Sequence, residues 1–189
     1  LKKLTCSDNQ LATLDVSQNT ELTLLAVSNN RLNDLDVTNN INLESLFCAS
    51  NQINTLNLSA HTSLKTLDAS NNVIASLDLS AINTKACPDP QTDPLTICQG
   101  IGSVDVSRNR LVDLNIANGF NDLISVFNSK ENIDLYCIQT DPGFTPPATW
   151  LKDDWTYYGD TACTDIYTYV PDDNFEQALI DLGYDDVLD

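Results

Sequence analysis

Six cysteines, one histidine and 27 Asp and Glu residues are the groups of this 189-residue chain best equipped to catalyse or to bind metal. Their spacing points to neither. Cys6, Cys48, Cys87, Cys98, Cys137 and Cys163 form no CxxC pair and His61 stands alone, so the ligand spacing of a zinc site is missing. No serine sits in a GxSxG elbow and no glycine-rich phosphate loop occurs. Acid pairs stand at 153–154, 172–173 and 185–186. Glycoside hydrolysis needs two carboxylates set across a sugar cleft, which adjacency does not supply. Calcium is the ion these acids would suit, near Asp89, Asp93 or the 172–173 and 185–186 pairs, although none has EF-hand spacing. The expectation is a non-enzyme without an obligate cofactor, calcium being the exception to test.

Charge narrows the partners. Nine Lys and Arg against 27 acids give a net charge of −18. Nucleic acid and anionic membrane surfaces select the opposite sign. No apolar run reaches the roughly 18 residues of a membrane helix. The chain begins with Leu1 in mid-pattern and contains no Met, which reads as a fragment or a processed product.

Whatever these residues do, a repeat positions them. Asn9, Asn30, Asn51 and Asn72 are each 21 residues apart. Apolar residues travel with them: Leu22-Leu25-Val27-Asn30-Leu32-Leu35-Val37 is followed by Leu43-Leu46-Cys48-Asn51-Ile53-Leu56-Leu58. After an insertion the pattern resumes as Ile101-Val104-Val106-Asn109-Leu111. A degenerate sixth copy is expected from Leu123, with Val126 and Asn132 in approximate register. The pattern LxxLxxxxNxLxxLxV is a leucine-rich repeat. Each copy lays one short strand beside the last and points its apolar residues into a continuous core. The repeated asparagines, Asn9, Asn30, Asn51, Asn72 and Asn109, should lie inside and satisfy backbone groups where the chain bends. His61 falls at the repeat position of Asn19 and Asn40 and is expected in a loop. No helix fits between strands, so the second half of each turn should be extended or 3₁₀.

Turns such as LTCSDNQLATLDVSQNTE resemble the leucine-rich repeats of secreted surface proteins of Bacteroidetes, flavobacteria above all. The resemblance implies a mostly β, right-handed solenoid with one parallel sheet, export by a type IX secretion system, and a place on the cell surface. The run Asn132-Ile133-Asp134-Leu135-Tyr136-Cys137-Ile138, with Trp150, Trp155 and Cys163, is similar to the closing segment of such arrays. It implies a Cys137–Cys163 bridge pinning a C-terminal cap. Cys87 and Cys98 flank the proline-rich insertion CPDPQTDPLTIC, and a bridge there would close it. Cys6 and Cys48 share one inward position two turns apart, about 10 Å at strand spacing, beyond disulfide reach. They should be buried free thiols. Disulfides imply an oxidising compartment.

Three units follow: a solenoid over 1–136 with an insertion at 84–100, a cap over 137–168, and a helical segment over 169–189. In the last, Phe175, Ala178, Leu179 and Leu182 form one apolar stripe. The wording YVPDDNFEQALIDLGYDD is similar to segments that precede such arrays, which suggests the N-terminal cap of a following module. Asp160-Thr161-Ala162 resembles the O-glycosylation acceptor of exported Bacteroidetes proteins, which marks Thr161. The residues expected on the concave face include Lys3, Thr5, Phe47, Lys65, Asp68, Asp105, Arg108 and Phe127. Two functions compete. One is an adhesion module binding a protein or glycan on that face. The other is a unit of an extracellular fibre, joined to neighbouring copies of itself head to tail through the helix.

Overall fold

The computed structural model describes residues 1–82 and 100–160, together with Cys163 and Ile180. Among the described residues, ten three-residue strands form two parallel sheets. The larger has six: β1 (Lys3–Thr5), β2 (Leu24–Ala26), β3 (Ser45–Phe47), β4 (Thr66–Asp68), β6 (Ser103–Asp105) and β8 (Val126–Asn128), in the order β1-β2-β3-β4-β6-β8. The smaller has four, ordered β10-β9-β7-β5: β5 (Ser76–Asp78), β7 (Asp113–Asn115), β9 (Cys137–Gln139) and β10 (Tyr157–Gly159). It is an addition to the single sheet expected, built where an extended or 3₁₀ backbone was foreseen. The result is a β-solenoid of the leucine-rich-repeat kind. The second sheet runs on through β9 and β10, across the 136/137 boundary.

The core lies between the sheets and is made of the repeat's apolar residues. Leu25, Leu46, Leu67 and Val104 stack in register and are fully buried. Each fully buried leucine contributes on the order of 2 kcal/mol. Leu67 pairs with Val104 in the same register as Leu46 with Leu67, although the insertion lies between them in sequence. The longer connection therefore leaves the stack without a step.

The asparagines staple successive turns. The Asn51 amide nitrogen donates to Val27 O of the preceding turn at 3.0 Å and to Cys48 O of its own at 3.1 Å, while its oxygen accepts from Leu32 N at 3.0 Å. Asn30, Asn72, Asn109 and Asn132 repeat the arrangement. Asn30 is only half-buried, and Asn9, in the first turn, is exposed and donates within its own turn to Cys6 O and Ser7 O. One residue before each of these asparagines the backbone is left-handed: Asp8, Asn29, Ser50, Asn71, Arg108 and Glu131 all have φ between 54° and 61°. Asp and Asn tolerate that conformation through their short polar side chains. Ser50, Arg108 and Glu131 hold it at a cost of about 1 kcal/mol each, met by the packing around them.

A second staple runs along the opposite corner. Asn40 is fully buried and donates to Val16 O at 3.0 Å and Asn19 O at 2.9 Å. One turn on, His61 takes its place. It lies in a loop, but its side chain is fully buried, with Nε2 donating to Val37 O at 3.1 Å. Nδ1 has no partner. A proton there would be an unpaired donor in a dry core, and burial accordingly pushes the imidazole below its ordinary 6.5, opposed by the Val37 and Leu58 carbonyls.

The sixth turn starts one residue later than expected. Phe127, not Val126, pairs with Val104, and Ile124 fills the place assigned to Leu123. Phe127 is therefore core, not a residue of the concave face. Trp150 stacks on it at 4.6 Å and donates from Nε1 to Ile124 O at 3.2 Å. The cap also replaces the hydrogen bonds a seventh turn would make. In earlier turns the left-handed corner donates to carbonyls of the next turn, as Asp8 N does to Ser28 O and Asn9 N to Asn29 O. In the last turn both donors, Glu131 N and Asn132 N, meet the two carboxylate oxygens of Asp153 at 3.1 and 3.0 Å. The Cys137–Cys163 disulfide closes a 26-residue separation with Cα atoms 5.8 Å apart. The Cys87–Cys98 bridge, the Thr161 acceptor and the Phe175, Ala178, Leu179 and Leu182 stripe lie outside the described residues, as do the calcium positions named above. Ile180 itself is helical.

Three outcomes follow. Asn51→Ala should lower unfolding stability by about 1–3 kcal/mol, the range for stranding buried polar groups, while Asn9→Ala should change the denaturation midpoint far less. Stability should also fall as pH drops below about 6.5, because the unfolded chain protonates His61 before the folded one does. His61→Asn should flatten that stretch. A further loss as pH falls below about 3.8 belongs to Asp15 and Asp36, whose carboxylates are held down by hydrogen bonds from Ser17 and Thr38. Urea titrations across pH test both.

Candidate binding face

The six-stranded sheet turns two rows of side chains outward. Pairing places Lys3, Leu24, Ser45, Thr66, Ser103 and Val126 in one row, and Thr5, Ala26, Phe47, Asp68, Asp105 and Asn128 in the other. Three-residue strands with one inward residue cause this, since alternate side chains leave on opposite faces. Six residues expected here, Lys3, Thr5, Phe47, Lys65, Asp68 and Asp105, lie on or beside the strands and are exposed or half-buried. Val126, 55% exposed, holds the outward position that Phe127 does not.

Arg108 stands apart, at the left-handed corner beyond β6. It lines an open groove of about 390 Å³ with Ser70, Asp105, Asn128, Lys130 and Glu131. Its guanidinium pairs with Glu131 at 3.0 Å, and Lys65 pairs with Glu44 at 3.1 Å. Both pairs join adjacent turns and are well exposed, so each adds well under 1 kcal/mol. Asp68 and Asp105 are oriented more firmly. Oδ1 of Asp68 accepts from Ser70 N and Oγ at 3.2 and 2.7 Å, and Oδ1 of Asp105 from Ser107 N and Oγ at 3.0 and 2.6 Å. The second oxygen of Asp105 accepts from the Asn128 amide at 3.2 Å.

The remaining chemistry-bearing groups are inert or lie elsewhere. Burial pushes the Cys48 thiol up to about 12, with the Asp68 carboxylate acting in the same direction. Cys6 is also raised by burial, but it is only half-buried, not enclosed as expected. Among the described residues no group of three or more His, Cys, Asp and Glu could hold a metal, and no helix is long and apolar enough to cross a membrane.

Two parallel sheets, inward leucines and repeated asparagine staples define the class, a leucine-rich-repeat solenoid. The chain matches no family model and no curated protein. Among solved structures it is similar to the functional domain of InlJ from Listeria monocytogenes, whose description notes a cysteine ladder, with a TM-score of 0.51 and 21% identity. The similarity covers 75% of this chain and 35% of that one, so the chain spans about a third of its length. The likeness is one of fold.

Alkylation before reduction, followed by peptide mapping, should find Cys137 joined to Cys163 and Cys6 labelled in the native state. Cys48 should label only after unfolding.

Proposed function

We propose that the chain is a non-enzymatic binding module of an extracellular, surface-attached bacterial protein, and that the outer face of the six-stranded sheet is its contact surface. The observation that carries this is the face itself. It holds twelve outward positions in register on a rigid, stapled backbone, with carboxylates oriented by their own hydrogen bonds. Such a surface loses little conformational entropy on binding. The Cys137–Cys163 disulfide supports an oxidising, extracytoplasmic setting. The adhesion role, Bacteroidetes origin and type IX export rest on the wording of the repeats. The fibre alternative depends on the Phe175 stripe, outside the described residues.

Light scattering should give a monomer near 20.8 kDa; a polymer that grows with concentration would overturn this reading in favour of the fibre. On panels of immobilised secreted proteins and glycans the chain should retain partners. Phe47→Ala should weaken that retention several-fold, and Thr55→Ala, away from this face, should not. Retention that ignores Phe47→Ala would overturn the choice of face.

A further inference from the structure

The outer face is not uniform along the solenoid axis. At β1 it carries Lys3, exposed, with Lys2 beside it. At β2 and β3 it turns apolar, with Leu24, Ala26 and Phe47 half-buried. At β4 and β6 it carries Asp68 and Asp105, on directly paired positions of neighbouring strands. Like charges so placed repel. The ion pairs among the described residues are Lys65–Glu44 and Arg108–Glu131, so neither Asp68 nor Asp105 has a cationic partner there. Both carboxylates are already oriented by Ser70 and Ser107.

From this order we infer the partner's chemistry: an extended peptide segment lying along the solenoid axis, with a large apolar residue over Phe47 and an Arg or Lys bridging Asp68 and Asp105. The inference rests on the binding face proposed above and goes beyond it by naming what the face takes. A guanidinium is planar and multidentate, so it can serve two carboxylates at once and relieve their repulsion. The apolar patch beside it supplies the anchor that a charge pair alone does not. Lys2 and Lys3 favour an acidic residue at the far end of the peptide. From Lys3 to Asp105 is four strand steps, roughly 19 Å, which about six extended residues span. The net charge of −18 steers a cationic segment toward the chain from a distance.

The test is to pan a phage-displayed random heptapeptide library on the folded chain. The enriched sequences should carry Arg or Lys within two or three positions of a large apolar residue. A synthetic copy of one should bind about tenfold or more weakly to the double variant Asp68→Asn, Asp105→Asn, with a flatter salt dependence. The asparagine oxygens can still accept from Ser70 and Ser107, and an unchanged melting temperature checks that the sheet is intact. Peptides that need Phe47 but lack basic residues, or that bind the double variant as tightly, would overturn the peptide chemistry and leave the face standing. Peptides indifferent to Phe47→Ala would overturn both. A library without binders overturns the inference; glycan-array binding lost in Phe47→Ala would then give the face to a sugar.

Discussion

The inner turns of this molecule must bend their backbone inside a dry core, and bent backbone has donors and acceptors that no strand ladder satisfies. One asparagine per turn answers that constraint. Its amide reaches a carbonyl of the preceding turn and a carbonyl of its own, and its oxygen takes an N–H from the preceding turn. Leucines alone could fill the volume, but they could not pair those groups. The spacing of the turns, the in-register strands and the two outward rows all follow from the staple holding each turn at one height and rotation.

The same constraint explains which parts could be read in advance. A 21-residue period with an invariant asparagine is a strong signal because two requirements, apolar burial and polar satisfaction, recur at fixed offsets. The corner at Asn40 and His61 was placed in the repeat, but its burial and its stapling role were hidden because its occupants differ: an amide, then an imidazole, then Ile82, which is apolar and buried. Chemistry that changes from turn to turn leaves a position without a role attached to it. The sixth turn misled for another reason. Val126 and Phe127 are adjacent and both suit a strand interior, and a slip of one residue exchanges the two faces. The spacing to Asn132, eight residues after Ile124 as in the regular copies, favours Phe127 inward, and Trp150 gives that residue an aromatic partner. Nor was the role of Asp153 visible. A lone carboxylate in an acidic chain carries no mark of the two backbone N–H groups it will meet.

The face and the interior divide the work between them. Inward positions vary little because the stack demands one size, and Cys6, Val27, Cys48 and Ala69 show how narrow the choice is. Outward positions run from lysine through phenylalanine to aspartate within five strands. Because the inward residues and the asparagine staples carry the stack, with outward contacts such as Asn128 to Asp105 secondary to them, outward identities can be set by a partner with little disturbance to the core.

The staples also set how the molecule would respond to a pull between its ends. Among the described residues each turn is fastened to its neighbours by backbone ladders and by side-chain staples such as Asn51 and Asn40. Tension on the first turn would therefore peel the solenoid like tape, one turn at a time. Each regular turn would release 21 residues, about 7 nm of extended chain. At the other end the covalent link from Cys137 to Cys163 shortens the tether that can be drawn out. A solenoid so built would yield gradually under load, lengthening before it lets go.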